Sequence, residues 1–356
     1  MSATTYDARL AAGVRLPTRL RIGTRRSALA MTQTQWLADR VSAQLRAAGH
    51  EIEIDLVEVT SHGDVTKASL SSLGGTGVFV TALRDALLEG RVDLAVHSLK
   101  DMPTAPFDGL TIAATPPRED PRDVLVARDG LTLAELPRGA RIGTGSPRRA
   151  AQLRALGLGL EVVDIRGNVD TRLRLVADGV VDGVVLAHAG LLRLGRETEV
   201  TQVLDADLML PAPGQGALAA EARADDAGVL AALATVDDPL TRACVVAERA
   251  LLARLEAGCA APVGAWASAG PNTNSNTNKE AGDESPHRIR LQAAVGAVDG
   301  SVMLRADAEL ACPADAAPAL ADAVALGESL AGDLLIGGAA SLIPTDPPAP
   351  AREGEP

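Results

Sequence analysis

Residues 141–190 read RIGTGSPRRAAQLRALGLGLEVVDIRGNVDTRLRLVADGVVDGVVLAHAG. Three β-rich runs, RIGTG at 141–145, LEVVDIR at 160–166 and GVVLAHAG at 183–190, alternate with helical runs at 147–156 and 169–177. Strand and helix in strict alternation predict an α/β unit with the strands side by side in one sheet. DVLVAR at 123–128 adds a strand in front of it. The same grammar stands between Leu20 and Thr115: LRIGT, a helix from Ser27 to Ala48, EIEIDLVEV, a helix around Phe79 to Leu88, then VDLAVHSL. Ser27 is placed to cap the first of these helices and Gly49 to stop it. LPAPGQGALAAEAR at 210–223 joins Pro and Gly to an apolar run, which suits a crossing back to the first unit. Two lobes joined by such crossings leave a cleft between them.

From Asp238 the pattern changes to α+β. A long amphipathic helix, DPLTRACVVAERALLARLEAG, precedes the strand-like runs APVGAWAS, IRLQAAVGA and SVMLRADAEL and then an Ala-rich helix. The expected division is a first domain of residues 19–116 and 214–235, a second of 117–213 and a third of 238–343. Residues 1–18, the polar stretch PNTNSNTNKEAGDESPHR at 271–288 and residues 344–356 are expected to be disordered.

Composition removes several functions. The 356-residue chain carries a net charge of −12, which repels polyanions at long range and disfavours nucleic acid or an anionic membrane as partner. The aromatic residues are Tyr6, Trp36, Phe79, Phe107 and Trp266, too few to stack bases. Cys244, Cys259 and Cys312 are odd in number and widely spaced, which points away from a disulfide framework or a metal site and towards a reducing, cytoplasmic setting. No apolar run reaches the length of a membrane span, and residues 1–18 read as an uncleaved tail.

Against this acidic background Arg141 to Arg174 holds seven arginines and three acids, Glu161, Asp164 and Asp170. In GTGSPRRAAQLR, Ser146 and Pro147 form a helix start that places Arg148 and Arg149 in the first turn, where the helix dipole opposes a cation. An anion held at that terminus would repay the placement. Arg166 falls at a strand end and Arg172 in the next helix, while RIGTRRSALA puts Arg25 and Ser27 at the matching turn of the first unit. Ligands of α/β sheets bind beyond the carboxyl ends of strands. VDLAVHSLKDMP brings His97, Lys100 and Asp101 to such an end. An acid there balances developing positive charge or moves a proton; His97 alone reads as a hydrogen-bonded core residue. Cys259, after the helix stop Gly258, sits on a loop, whereas Cys244 reads as packing.

RIGTRRSALA, VDLAVHSLKDMP, REDPRDVLV, GTGSPRRAAQL, RGNVDTRL, LPAPGQGALA and EAGCAAPVG, in this order over roughly residues 20–340, resemble the porphobilinogen deaminase (hydroxymethylbilane synthase) family. The resemblance implies two lobes like those of type II periplasmic binding proteins, with mixed sheets, and a smaller C-terminal α+β domain. It implies a transferase that condenses four porphobilinogen molecules head to tail onto one covalent dipyrromethane primer per chain. Ammonia is lost and linear hydroxymethylbilane released, for uroporphyrinogen-III synthase in tetrapyrrole and haem biosynthesis. By the same resemblance Cys259 anchors the primer, Asp101 is the catalytic acid, and Lys100, Ser146, Arg149 and Arg172 hold the primer's acetate and propionate groups. Arg25, Ser27, Arg148, Arg166 and Arg193 are implied around substrate and growing chain, with no metal, and the enzyme is expected to be a monomer.

Three positions depart from the family pattern: Ser72 and Thr76 stand where many members carry lysines, with Lys67 out of register to replace them, and Ala28 follows the first serine where proline is commoner, a minor change in helix start. Two other functions compete. A two-lobed receptor for a dicarboxylate would use the arginine turns but needs neither Cys259 nor Asp101. A nucleic-acid binder using the two arginine motifs would show a steep salt dependence.

Overall fold

In the computed structural model, residues 13–59, 77–258, 261–271, 287–312 and 317–344 are described. Lys67, Ser72, Thr76 and Cys259 lie outside them, as does most of each stretch expected to be disordered.

The first lobe is built on β1 (Arg19–Thr24), β2 (Glu53–Glu58), β3 (Leu94–Ser98), β4 (Leu110–Ala114) and β10 (Leu218–Arg223), in the order β2-β1-β3-β10-β4. β1 runs parallel to β2 and β3, whereas β10 is antiparallel to both of its neighbours, so the sheet is mixed. Helix α1 (Ala28–Ala47) lies on one face through Leu37, Ala38, Val41 and Leu45, all buried, a spacing of one helical face. Ser27 accepts a hydrogen bond from the Ala30 N–H at its start, and Gly49 follows its end at φ +82. Helix α2 (Gly77–Leu88) covers the other face with Leu83, Ala86 and Leu87.

The second lobe repeats the plan. β5 (Asp123–Ala127), β6 (Arg141–Gly143), β7 (Glu161–Val163), β8 (Gly183–Ala187) and β9 (Gln202–Leu204) take the order β7-β6-β8-β5-β9, with β5 antiparallel to β8 and β9. Helices α3 (Pro147–Ala155), α4 (Val169–Ala177) and α5 (His188–Arg193) connect and cover it. The antiparallel strand of each lobe, fourth in its order, is the first one laid down after the chain crosses over. Residues 115–122 carry the chain from β4 into β5, and residues 205–217 carry it back from β9 into β10. The crossings touch where the Glu119 N–H donates to the Gly216 carbonyl at 3.3 Å. Gly216 has φ +85, and a Cβ there would collide with the Glu119 carbonyl, so the contact itself demands glycine.

The third sheet is an antiparallel meander of β11 (Val263–Pro271), β12 (His287–Gly296) and β13 (Met303–Ala311). Helix α6 (Ala227–Ala234) precedes it on the first lobe, and α7 (Pro239–Arg254) and α8 (Leu320–Ile336) pack over its inner face around Ala247, Leu251, Ile289, Leu291 and Leu330. The architecture is therefore two α/β lobes with mixed sheets and a C-terminal α+β unit, as the sequence led us to expect. No described helix is long and apolar enough to cross a membrane.

Candidate active site

β3 is buried along its length up to Ser98 and ends in a single 3-10 turn, Leu99–Asp101, held by the Leu99 N–H on the Ala217 carbonyl at 3.0 Å. The turn delivers Lys100 and Asp101, both half-buried, past the carboxyl end of the strand. Asp101 lines a cavity of about 100 Å³ together with Arg25, Ser27, Gln33, Val80, His97 and Ser98. The turn before α1 supplies Arg25 and Ser27, so two neighbouring parallel strands, β1 and β3, aim their ends at one space. Gln33 and Ser98 are hydrogen-bonded to each other at 3.2 Å on its wall.

The second lobe contributes the cations. Ser146 caps α3 and accepts from the Arg149 N–H, and Asn168 caps α4 by accepting from Thr171 N–H. Arg148 and Arg149 lie in the first turn of α3, as the sequence reading required, and both are buried. The anion that meets them there is the protein's own Asp123, the first residue of β5 and fully buried. Arg148 Nη1 donates to Asp123 Oδ2 at 2.7 Å and to the Leu210 carbonyl. Arg149 donates from Nε and Nη2 to Oδ1, at 3.0 and 2.7 Å, and from Nη1 to the Val185 carbonyl. Burial alone would raise the Asp123 carboxyl; the two guanidinium groups outweigh it and hold it far below the usual carboxylate range.

Gln215, in the return crossing, joins Asp123 to the first lobe. Its Nε2 donates to Asp123 Oδ1 at 2.9 Å and to the Pro121 carbonyl at 2.7 Å, while its Oε1 accepts from Lys100 Nζ at 3.2 Å. Lys100 is pushed down to about 8, by burial first and then by the charges of Arg149 and Arg148 against the pull of Asp101 and Asp123. Arg172 is lowered to about 10 by burial and by Arg149 and Arg166. The charge of Arg149 thus bears on both Lys100 and Arg172, in a partly desolvated space where one buried carboxylate is already committed. Such a cluster is short of negative charge, a setting that suits a ligand bearing several carboxylates.

Arg166 and Arg193 stand apart from this cluster, and Arg172 is anchored at its edge. Arg166 is exposed and pairs with Asp164 at 3.2 Å, and Arg172 Nε donates to the Gly167 carbonyl at 2.9 Å. Arg193, at the end of α5, donates to the Gly216 carbonyl at 2.6 Å. Burial lowers it to about 10, with Glu119 opposing, so it sits against both crossings. The two described cysteines, Cys244 and Cys312, are buried, and burial pushes the Cys244 thiol up to about 12. Sequence reading passed over Asp123, Gln33, Ser98 and Gln215. A carboxylate opening the apolar run DVLVA was the available signal for Asp123, because a lone acid at a buried strand end requires a buried cation.

Helix α7 ties the third sheet to this region. Arg249 donates to the Met102 and Pro103 carbonyls, at 3.1 and 2.6 Å, directly after Asp101. Glu248, fully buried, accepts from Arg118 Nη1 at 2.6 Å, from Gly214 N–H at 2.6 Å and from Ala267 N–H at 2.8 Å. One carboxylate therefore joins both crossings, α7 and β11. α7 ends at Arg254, and the residues flanking position 259 on either side are linked by Ala261 N–H on the Gly258 carbonyl at 2.9 Å.

Residues 20–231 match the family model described as porphobilinogen deaminase, dipyromethane cofactor binding domain, and residues 242–335 match its C-terminal domain. The chain belongs to the porphobilinogen deaminase family. Porphobilinogen deaminase 1 of Streptomyces coelicolor is 54% identical over 91% of this chain and 97% of its own length. Porphobilinogen deaminase of Thermobifida fusca is 52% identical over 91% of this chain and 95% of that protein. Among solved structures, a putative methionine-binding lipoprotein of Bacillus subtilis aligns with a TM-score of 0.39 at 11% identity, covering 63% of this chain and 92% of that one. For the family's cofactor, the donors fit: a carboxylate-bearing dipyrromethane would find Lys100 and Arg172 there, each lowered by burial and by the charge of Arg149.

Proposed function

We infer that the chain is a porphobilinogen deaminase, a transferase that joins four porphobilinogen molecules head to tail and releases ammonia and hydroxymethylbilane. The observation that carries the reading is the cluster of desolvated cations, Lys100, Arg149 and Arg172, beside an acid, Asp101, that opens on a cavity at the strand ends. Ser146, Lys100, Arg149 and Arg172 hold the carboxylates of the dipyrromethane. Cys259 is its covalent anchor, a role supported by the burial of Cys244 and Cys312. When bound, the cofactor supplies the free pyrrole carbon on which the first porphobilinogen is placed.

Asp101 stabilises the positive charge that develops on porphobilinogen as ammonia departs. Arg25 and Ser27 bind the incoming carboxylates from the first lobe. Arg148, Arg166 and Arg193 serve the lengthening chain, Arg148 from its bond to Asp123 and Arg193 from its seat against the crossings. The division into domains of 19–116 with 214–235, 117–213 and 238–343 is supported by the three sheets and the two crossings between lobes. The three unpatterned cysteines support a cytoplasmic setting, and the family resemblance supports a monomer whose product goes to uroporphyrinogen-III synthase.

Intact mass of the purified protein beside its Cys259→Ser variant, with a test for a pyrrole chromophore, decides the reading. A covalent adduct of two linked pyrroles is expected on the native chain alone. An adduct on neither chain after exposure to porphobilinogen would leave the fold and remove the function.

A further inference from the structure

Behind Asp101 the same cavity is lined by His97, a buried imidazole with no part in the reading above. Its neighbours on the sheet explain its setting. β3 and β10 are antiparallel with Ala219 opposite His97 and Glu221 opposite Ala95, so His97 and Glu221 are diagonal neighbours on one face. Long side chains reach one another across such a diagonal. His97 Nε2 lies 3.2 Å from Glu221 Oε2, within reach but out of line for a hydrogen bond.

The carboxylate is itself tied from the far side. Arg84 of α2 donates from Nε to Oε1 at 3.0 Å and lies 2.8 Å from it through Nη2, and Phe107 stacks on the same guanidinium at 4.6 Å. Burial alone would raise the Glu221 carboxyl; His97 and Arg84 together hold it below its ordinary range. Among the described residues, the charged groups around the imidazole are therefore Glu221 of β10, Arg84 of α2, Asp101 of the turn after β3 and Arg25 before α1.

A base that faces the reacting space, with a carboxylate behind it and a second acid beside it, has the arrangement of a general base and its orienting group. The reaction needs one. Each addition after the first breaks the C–N bond of an aminomethyl group, with ammonia leaving, and forms a C–C bond to the free α-carbon of the preceding porphobilinogen unit. That carbon must then lose its hydrogen as a proton. Asp101 is engaged with the positive charge of the incoming ring and is poorly placed to give up that role in the same step.

We propose that His97, oriented by Glu221, accepts the proton from the pyrrole α-carbon at each condensation. The proton goes from carbon to the ring nitrogen turned away from Glu221, and from there to the departed ammonia or to water, so the imidazole is neutral again before the next addition. Glu221 and Arg84 are positioning residues: the carboxylate stands behind the imidazole, and the guanidinium helps keep the carboxylate ionised.

The inference rests on the deaminase reading, and its test separates the two. His97→Gln and Glu221→Gln are prepared as holoenzymes and checked for the covalent adduct by intact mass and for folding by circular dichroism. With the adduct present, His97→Gln should lower kcat by about a hundred-fold or more, and its pH profile should lose the acid limb. Glu221→Gln keeps the base but removes the negative charge behind it, so its acid limb should move to lower pH. A loaded His97→Gln enzyme with an unchanged limb, or a Glu221→Gln limb that stays or moves up, overturns the proposal and leaves the deaminase intact.

Should either variant fail to fold, the unaltered holoenzyme still decides. The 15N shift of the assigned His97 imidazole should titrate in step with the acid limb, and porphobilinogen deuterated at its free α-carbon should turn over more slowly on that limb. Absence of both effects overturns the assignment.

Discussion

At the scale of single residues, two carboxylates at strand ends divide the work. Asp123 is fully buried and spent on Arg148, Arg149 and Gln215. Asp123→Ala should destabilise the protein by about 3–5 kcal/mol, because it leaves two buried guanidinium groups without their counter-ion; urea unfolding measures it. Asp101 opens on the cavity instead. Asp101→Asn is expected to fold and load cofactor normally yet lose most turnover, and near-normal rates from a loaded variant would remove it from the mechanism. Asp120 makes a third case. Arg122 and His188 outweigh the effect of burial and lower it to about 2. A carboxyl lowered in the folded state contributes stability above its unfolded pKa, and the contribution is lost as pH falls. Unfolding free energy measured from pH 5 down should therefore decline between about pH 4 and 2, and less steeply in Asp120→Asn.

At the scale of elements, α8 shows how neighbouring glycines in one helix take opposite roles. A Cβ at Gly327 would lie 2.9 Å from both Ala250 Cβ and the Leu251 nitrogen, so glycine is what allows α8 to lie against α7. Gly332, five residues on in the same helix, has nothing within 4 Å of the place its Cβ would take. Gly327→Ala should push the helices apart and lose about 1–3 kcal/mol, whereas Gly332→Ala should gain about 1 kcal/mol from helix propensity alone. Denaturant midpoints of the two variants, read side by side, check both signs.

At the scale of the whole molecule, the two lobes and the third sheet meet at Glu248. Its oxygens hold Arg118 of one crossing, Gly214 of the other and Ala267 of β11, and the next residue, Arg249, grips the chain after Asp101. Both crossings are therefore tied to α7, the helix that precedes Cys259 in the chain. Glu248→Ala should cost about 3–5 kcal/mol by stranding Arg118, and should open the connection at residues 235–240 to limited proteolysis before the lobes themselves unfold. A single cooperative transition with no early cleavage there would show that the junction does not depend on this carboxylate.

The sequence by itself determined the alternation of strands and helices, the starts of α1, α3 and α4, and the change to α+β after Asp238, because periodicity and capping are written in neighbouring residues. It also placed Asp101, Lys100 and the arginine turns at the ends of strands. It did not determine that β5 and β10 are antiparallel insertions made on crossing between lobes, since strand order depends on contacts far apart in the chain. Nor could it assign counter-ions. Arg148 and Arg149 looked like free anion-binding groups until folding brought Asp123 against them, and His97 looked like core until the diagonal of β3 and β10 set Glu221 behind it. Charge pairing and desolvation are properties of three-dimensional neighbourhoods, so only the tertiary structure decided which cations share an internal counter-ion.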